Sequence, residues 1–287
     1  MVDTVGQVNL RKENVSSLVK GFAQAAYKLK QLCMIDSSSA WIESYFREGS
    51  SELIGGTGST VRGIPRLAAF PYGEVNWTKV SSYIEKYGME GVVSWEDENT
   101  NNIPALARTL LRIGNAVAYS VDVVIEASIL ANAGNSVAIA AGNEWDSATL
   151  ANRDPIRDIL YAIKECAIDN IDVLQNGYLV LSPLDYANLM MNTKVVNNPT
   201  FKGADVVANG VVGQICGLTI IVSNAVQVSG AYVVKGKEAL TWKEAQPLTV
   251  VTIEDPGIKK TVRAFELGVC QVPMPNAICK ITNTQKV

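Results

Sequence analysis

The chain has 287 residues, 25 lysines and arginines against 28 aspartates and glutamates, a formal charge of -3, 48% hydrophobic residues and no histidine. That balance excludes general disorder and a strongly basic nucleic-acid reader. The missing imidazole excludes Ser-His-Asp and Cys-His catalysis and zinc sites built on histidine, and the high apolar content predicts surface buried against other copies.

Residues 1–12 are polar and predict an extended arm. From Val15, apolar residues at three- and four-residue steps (Leu18, Val19, Phe22, Ala26, Leu29, Leu32, Cys33) predict an amphipathic helix. Its Arg11, Lys12, Lys20, Lys28 and Lys30 read as a solvated basic face. Asp36 and the three serines after it break that helix and cap a second short one carrying Trp41, Ile42 and Phe46. The run GGTGST at 55–60 lacks the lysine of a phosphate loop and reads as a flexible loop. Residues 61–95 read as extended strands about turns at Pro65, Pro71 and Gly73, with 77–87 a short helix or loop tip. A two-stranded excursion cannot bury itself and needs another surface to lie on.

Glu96, Asp97 and Glu98 precede a helix, where its dipole favours negative charge; a metal or acid-base role is the rival reading. The strongest local signal is a helix over 103–130, with Pro104 in its first turn. Leu106, Leu110, Ile113, Val117, Val121, Val124 and Ser128 form its near-heptad stripe, with Arg108, Arg112, Asp122 and Glu126 as interspersed charges. Asn132 and Gly134 end it, and a small-residue stretch follows to Gly142. Asp154 caps a helix to 169 with Pro155 in its first turn and a stripe of Ile156, Ile159, Leu160, Ile163, Cys166 and Ala167.

A buried strand follows at 178–182, then a short helix at 186–191 and a polar loop at 192–210. Strand pieces over 214–222 flank Gly217, and another strand spans 231–234. Two runs, 248–253 and 261–270, flank Asp255-Pro256-Gly257 and predict a hairpin. A last strand is expected at 277–282.

The five cysteines (Cys33, Cys166, Cys216, Cys270, Cys279) form no C-x-x-C pair and read as buried thiols of a reducing compartment. The first residues show no secretory apolar region, and no stretch reads as long and apolar enough to span a bilayer.

The order of elements resembles the major capsid protein of tailed bacteriophages and related viruses, the HK97-like fold. Residues 92–98 followed by the 103–130 helix are similar to the end of that family's extended loop and its spine helix. Residues 154–191, with NGYLVLSPLD at 176–185, resemble the helix-strand-helix of the axial domain, and GQICGLTIIVS at 213–223 resembles a strand segment of the same domain. Residues 250–282 look like the return into the peripheral domain. The resemblance implies an α+β chain with an N-terminal arm (1–50), an extended loop (51–100), a peripheral domain with the spine helix (101–150 and 246–287) and an axial domain (151–245).

It also implies a shell subunit with no catalytic, cofactor-binding or metal site. Copies would form pentamers and hexamers that close into an icosahedral container for double-stranded DNA. The short stretch before the arm helix leaves no room for a scaffold-like segment, so a separate scaffolding protein and a portal are the implied partners. Contact with packaged DNA would be non-specific, and no membrane is involved. The protein would reside in the virion capsid after assembly in the host cytoplasm. Lys79 and Lys86 lie in the proposed loop, but no matched asparagine accompanies them, so no isopeptide crosslink is expected. Two alternatives stay open: an encapsulin-like nanocompartment shell, and an α/β enzyme using carboxylates such as Glu96 and Asp97 or Asp154 and Asp158.

Overall fold

A computed structural model describes residues 19–20, 23, 27–49, 65–69, 77–96, 103–196 and 213–286. In chain order the strands are β1 (Met34–Ser37), β2 (Ile42–Arg47), β3 (Thr78–Tyr83), β4 (Glu85–Ser94), β5 (Asn135–Ala138), β6 (Gly177–Leu181), β7 (Gln214–Ile215), β8 (Leu218–Val222), β9 (Gly230–Lys235), β10 (Thr241–Asp255), β11 (Lys259–Gln271) and β12 (Ile278–Thr282). The helices are α1 (Ile103–Asn132), α2 (Pro155–Ile168), α3 (Pro183–Met191) and the single turn α4 (Thr193–Val196). The architecture is α+β.

Three sheets organise the described residues. One has the order β1-β10-β11-β4, the second β5-β12-β9-β6-β8-β7, and the third is the β2-β3 pair. The long β10–β11 hairpin turns at Asp255-Pro256-Gly257, where Gly257 takes φ of 75°, as the sequence predicts. Its register shifts between Glu244 and Thr249, around Pro247, a residue that cannot donate to the ladder. The segments expected in the peripheral part supply β5 and β12, and both are hydrogen-bonded into the sheet that carries β6, β8 and β9.

Helix α1 is 30 residues long, about 45 Å at 1.5 Å per residue. Its buried stripe is Leu110, Ile113, Val117, Val121, Ile125 and Ile129. The stripe therefore steps from Val121 to Ile125 and Ile129 rather than to Val124 and Ser128, which are only half-buried. A straight helix repeats every 3.6 residues, so a stripe drawn on a heptad drifts off the buried face. Helix α2 starts as predicted: the Asp154 carboxylate accepts from the backbone N–H of Arg157, and Pro155 occupies the first turn. Leu160 and Ala167 of its expected stripe are exposed, while Asp158 and Ala162 are buried.

Several expectations are corrected. The arm helix does not continue to Cys33: residues Leu29–Leu32 form a 3-10 turn, and β1 follows, held in parallel register against β10. The short helix expected around Trp41, Ile42 and Phe46 is strand β2, because Ile42–Arg47 pairs antiparallel with Thr78–Tyr83. The 77–87 segment is likewise strand, not helix or loop tip. Residues 85–94, expected to need a foreign surface, lie against the chain's own β11. The small-residue stretch after α1 contains β5, recruited by parallel pairing with β12. Part of α1, Arg108–Asn132, is in fact long and apolar enough to cross a membrane by composition, but half of its most apolar window is buried within the protein. The GGTGST run lies outside the described residues.

The main core gathers Ile125, Trp145, Ile159, Leu179, Val233 and Trp242 between the helices and the sheets. A smaller core of Val19, Leu110, Ile113, Val117, Val262 and Ala264 sits between α1 and the β11 side of the first sheet. Gly91 makes this contact possible: a Cβ there would lie 2.5 Å from Ile113 Cδ1.

Candidate functional site

Residues 27–30 are fastened to α1 and the first sheet by two buried carboxylates that the sequence does not announce. Asp122, on α1, accepts the backbone N–H groups of Lys28, Leu29 and Lys30 at 2.9, 3.0 and 3.3 Å. These are the unpaired donors at the start of the 3-10 turn, whose own N-cap residue Lys28 supplies no side-chain cap. Burial raises the Asp122 pKa above its ordinary 3.8, and the three N–H donors oppose the rise.

Glu266, on β11, is fully buried and accepts from Tyr27 Oη at 2.5 Å, Lys30 Nζ at 2.5 Å and Trp242 Nε1 at 3.0 Å. Lys30 also reaches Glu244 at 3.0 Å and lies 4.9 Å from the Tyr27 ring centre. Burial, then the Glu266 charge, pushes the Tyr27 hydroxyl well above its ordinary pKa. Lys30 is thus not part of a solvated face. Its charge is balanced inside the protein, as a buried ammonium requires. Lys20 and Lys28 are exposed, while Arg11 and Lys12 lie outside the described residues.

Of the carboxylates flagged for an enzyme, Asp154 and Asp158 serve structure. Asp158 accepts from Trp145 Nε1 at 3.1 Å and pairs with Arg157, and burial raises its pKa. Asp154 caps α2 and pairs with Lys194 at 2.5 Å. Glu126, read as an interspersed charge, is buried and accepts from Tyr232 Oη at 2.7 Å. Glu96 is exposed, and Asp97 and Glu98 lie outside the described residues. Among the described residues no group of three His, Cys, Asp or Glu side chains could hold a metal ion. All five thiols are free; four are buried and Cys216 is half-buried. Cys166 meets Cys279 between α2 and β12, and that thiol contact raises the Cys279 pKa.

The remaining feature is surface. One face of the β2–β3 pair rests on its own chain. Arg47 Nη2 donates to Asn132 Oδ1 at 2.8 Å at the end of α1, and Gln271 Nε2 donates to Ser82 Oγ at 2.9 Å. The opposite face carries Ile42, Phe46 and Tyr83, with Trp41 and Trp77 beside them, all more than half exposed. The Phe46 and Trp77 rings pack 5.8 Å apart. Ile253 and Ile258 expose a second apolar area at the tip of the β10–β11 hairpin. Exposed apolar clusters of this kind suit contact with another molecule. Trp41, Ile42 and Phe46 stood out in the sequence, but as the apolar face of a helix rather than one face of a strand pair.

The profile of a family described as phage capsid protein matches residues 78–281. No curated protein sequence matches the chain. Among solved structures, the capsid of the cyanophage P-SCSP1u is similar over 89% of this chain and 88% of its own, with a TM-score of 0.66 and 16% identity. The mature capsid of bacteriophage PhiM1 covers 91% of this chain and 88% of its own, with a TM-score of 0.63 and 16% identity. The virus-like particle from Pyrococcus furiosus covers 95% and 99%, with a TM-score of 0.64 and 13% identity. These likenesses are of fold, and the fold they share is HK97-like.

Proposed function

The chain belongs to the phage capsid protein family, and from that premise we propose that its copies form pentamers and hexamers that close into an icosahedral shell around double-stranded DNA. It is a structural protein of the virion capsid. The match of the family profile across 78–281, from β3 to β12, carries the reading. The exposed aromatic face of β2–β3 supports it, because a subunit whose apolar surface is completed by its neighbours gains burial at each contact.

In this reading α1 is the spine helix, β10 and β11 with it belong to the peripheral domain, and 151–245 supplies most of the axial domain. The arm and the extended loop reach neighbouring subunits through the β2–β3 face, which their own chain leaves exposed. A portal and a separate scaffolding protein are the expected partners, assembly takes place in the host cytoplasm, and the slightly acidic chain touches packaged DNA weakly and without sequence preference.

Sedimentation and negative-stain electron microscopy of the purified chain test this. Capsomers or closed particles are expected; a monomer near 30.9 kDa at high concentration, with no particles, overturns it. A nanocompartment holding protein cargo is the second reading, favoured by the likeness to a virus-like particle. Particles that purify with a protein cargo and without a genome would select it.

A further inference from the structure

Strand β4 is the terminal strand of its sheet: β11 covers one edge, and no described strand pairs with the other. It is ten residues long, and Gly88, Met89 and Glu90 at its centre are all exposed. An edge of this length that the described strands leave unpaired is a template for another strand.

Building on the shell reading, we propose that β4 pairs antiparallel with β4 of a second copy about a two-fold axis at Gly88. The charge pattern selects the occupant and the register. A two-fold axis normal to the sheet keeps every residue on its own face, so the register must centre on a residue. Lys86 and Glu90 share the face away from α1, and Gly88 is their midpoint. Centred there, each Lys86 stands opposite the partner copy's Glu90, twice per pair; a centre one residue to either side loses both pairings. Glu90 is already an acceptor for Arg263 across β11, and Lys86 Nζ sits 4.5 Å from the Phe265 ring. The pairing therefore extends an existing row to Arg263–Glu90–Lys86 on each side of the axis. Gly88 leaves the axis free of side chains.

The test uses the full chain. Lys86→Glu and Glu90→Lys each oppose like charges and should reduce self-association at least tenfold by sedimentation, with circular dichroism confirming the fold. An equimolar mixture of the two restores two opposite-charge pairs and should recover assembly. Wild-type particles made from mixed isotope-labelled chains give a second readout. Lys86 and Glu90 lie about 13 Å apart within one strand, so a zero-length crosslink between them must join two copies. Variants that assemble like the wild type, or a folded mixture that does not recover, overturn the pairing and leave the shell reading standing. So does the absence of that crosslink. A wild-type chain that stays monomeric overturns both.

Discussion

Lys30 and Glu266 are 236 residues apart in the chain and meet at 2.5 Å between the arm and the first sheet. Glu266 is fully buried, so its charge is balanced only if the arm is in place. The arm and the sheet therefore stabilise each other. Glu266→Leu leaves Lys30 with only Glu244 as its carboxylate partner and removes the acceptor of Tyr27 and Trp242, and should cost about 3 kcal/mol in urea unfolding of the unassembled subunit. Glu266→Gln keeps an acceptor for Tyr27 and Trp242 and should cost less. Equal midpoints for both variants and the wild type would remove the clasp from the account.

Asp122 satisfies three backbone donors at once. Asp122→Ala should destabilise the subunit by about 1–2 kcal/mol, the range of a lost cap, with faster proteolysis of the arm as a local readout. The pH dependence has a definite sign. The folded pKa is raised above 3.8, so the fold favours the protonated form. That stabilising contribution is complete below the unfolded value and is lost as pH rises through the folded one. The stability of the wild type relative to Asp122→Asn should therefore fall as pH rises from the ordinary 3.8 through the raised folded value, then level off.

Gly177 opens β6 with its Cα against backbone: a Cβ would lie 1.9 Å from the Val173 carbonyl oxygen. Gly177→Ala should cost about 1–3 kcal/mol through forced displacement of that loop. Gly213 has nothing within 4 Å, and its alanine variant should melt with the wild type. Thermal unfolding of the two side by side separates crowding from a general glycine effect.

The Asp255-Pro256-Gly257 turn is exposed at the end of the hairpin. A short insertion after Gly257 should leave the circular dichroism spectrum of the subunit unchanged while reducing particle yield, because the tip lies beside exposed Ile258 and Ile253. Loss of subunit folding would place the turn in the core instead.

The sequence was legible where local chemistry decides structure. Proline and aspartate punctuate α2, Asp-Pro-Gly sets the hairpin, and a long apolar period marks α1. It was illegible where a distant partner decides. Strand β2 alternates its exposure along Ile42–Arg47, but its apolar residues also fall at helical spacing, and only β3, over thirty residues later, settles the choice. Small residues at 135–138 carry little strand propensity and are recruited by β12. Asp122 and Glu126 sit four apart on α1 like ordinary surface charges. Their roles come from the arm backbone and from Tyr232, neither of which a helical pattern can reveal.

Strand β12 lies between β5 and β9, with parallel pairing on one side and antiparallel on the other. Without residues 278–282 the six-stranded sheet has a gap at its interior and β5 has no strand to join. Closing that gap brings Asn135 to Cys279, a pairing of such long sequence separation that loop-closure entropy makes it a slow step of folding.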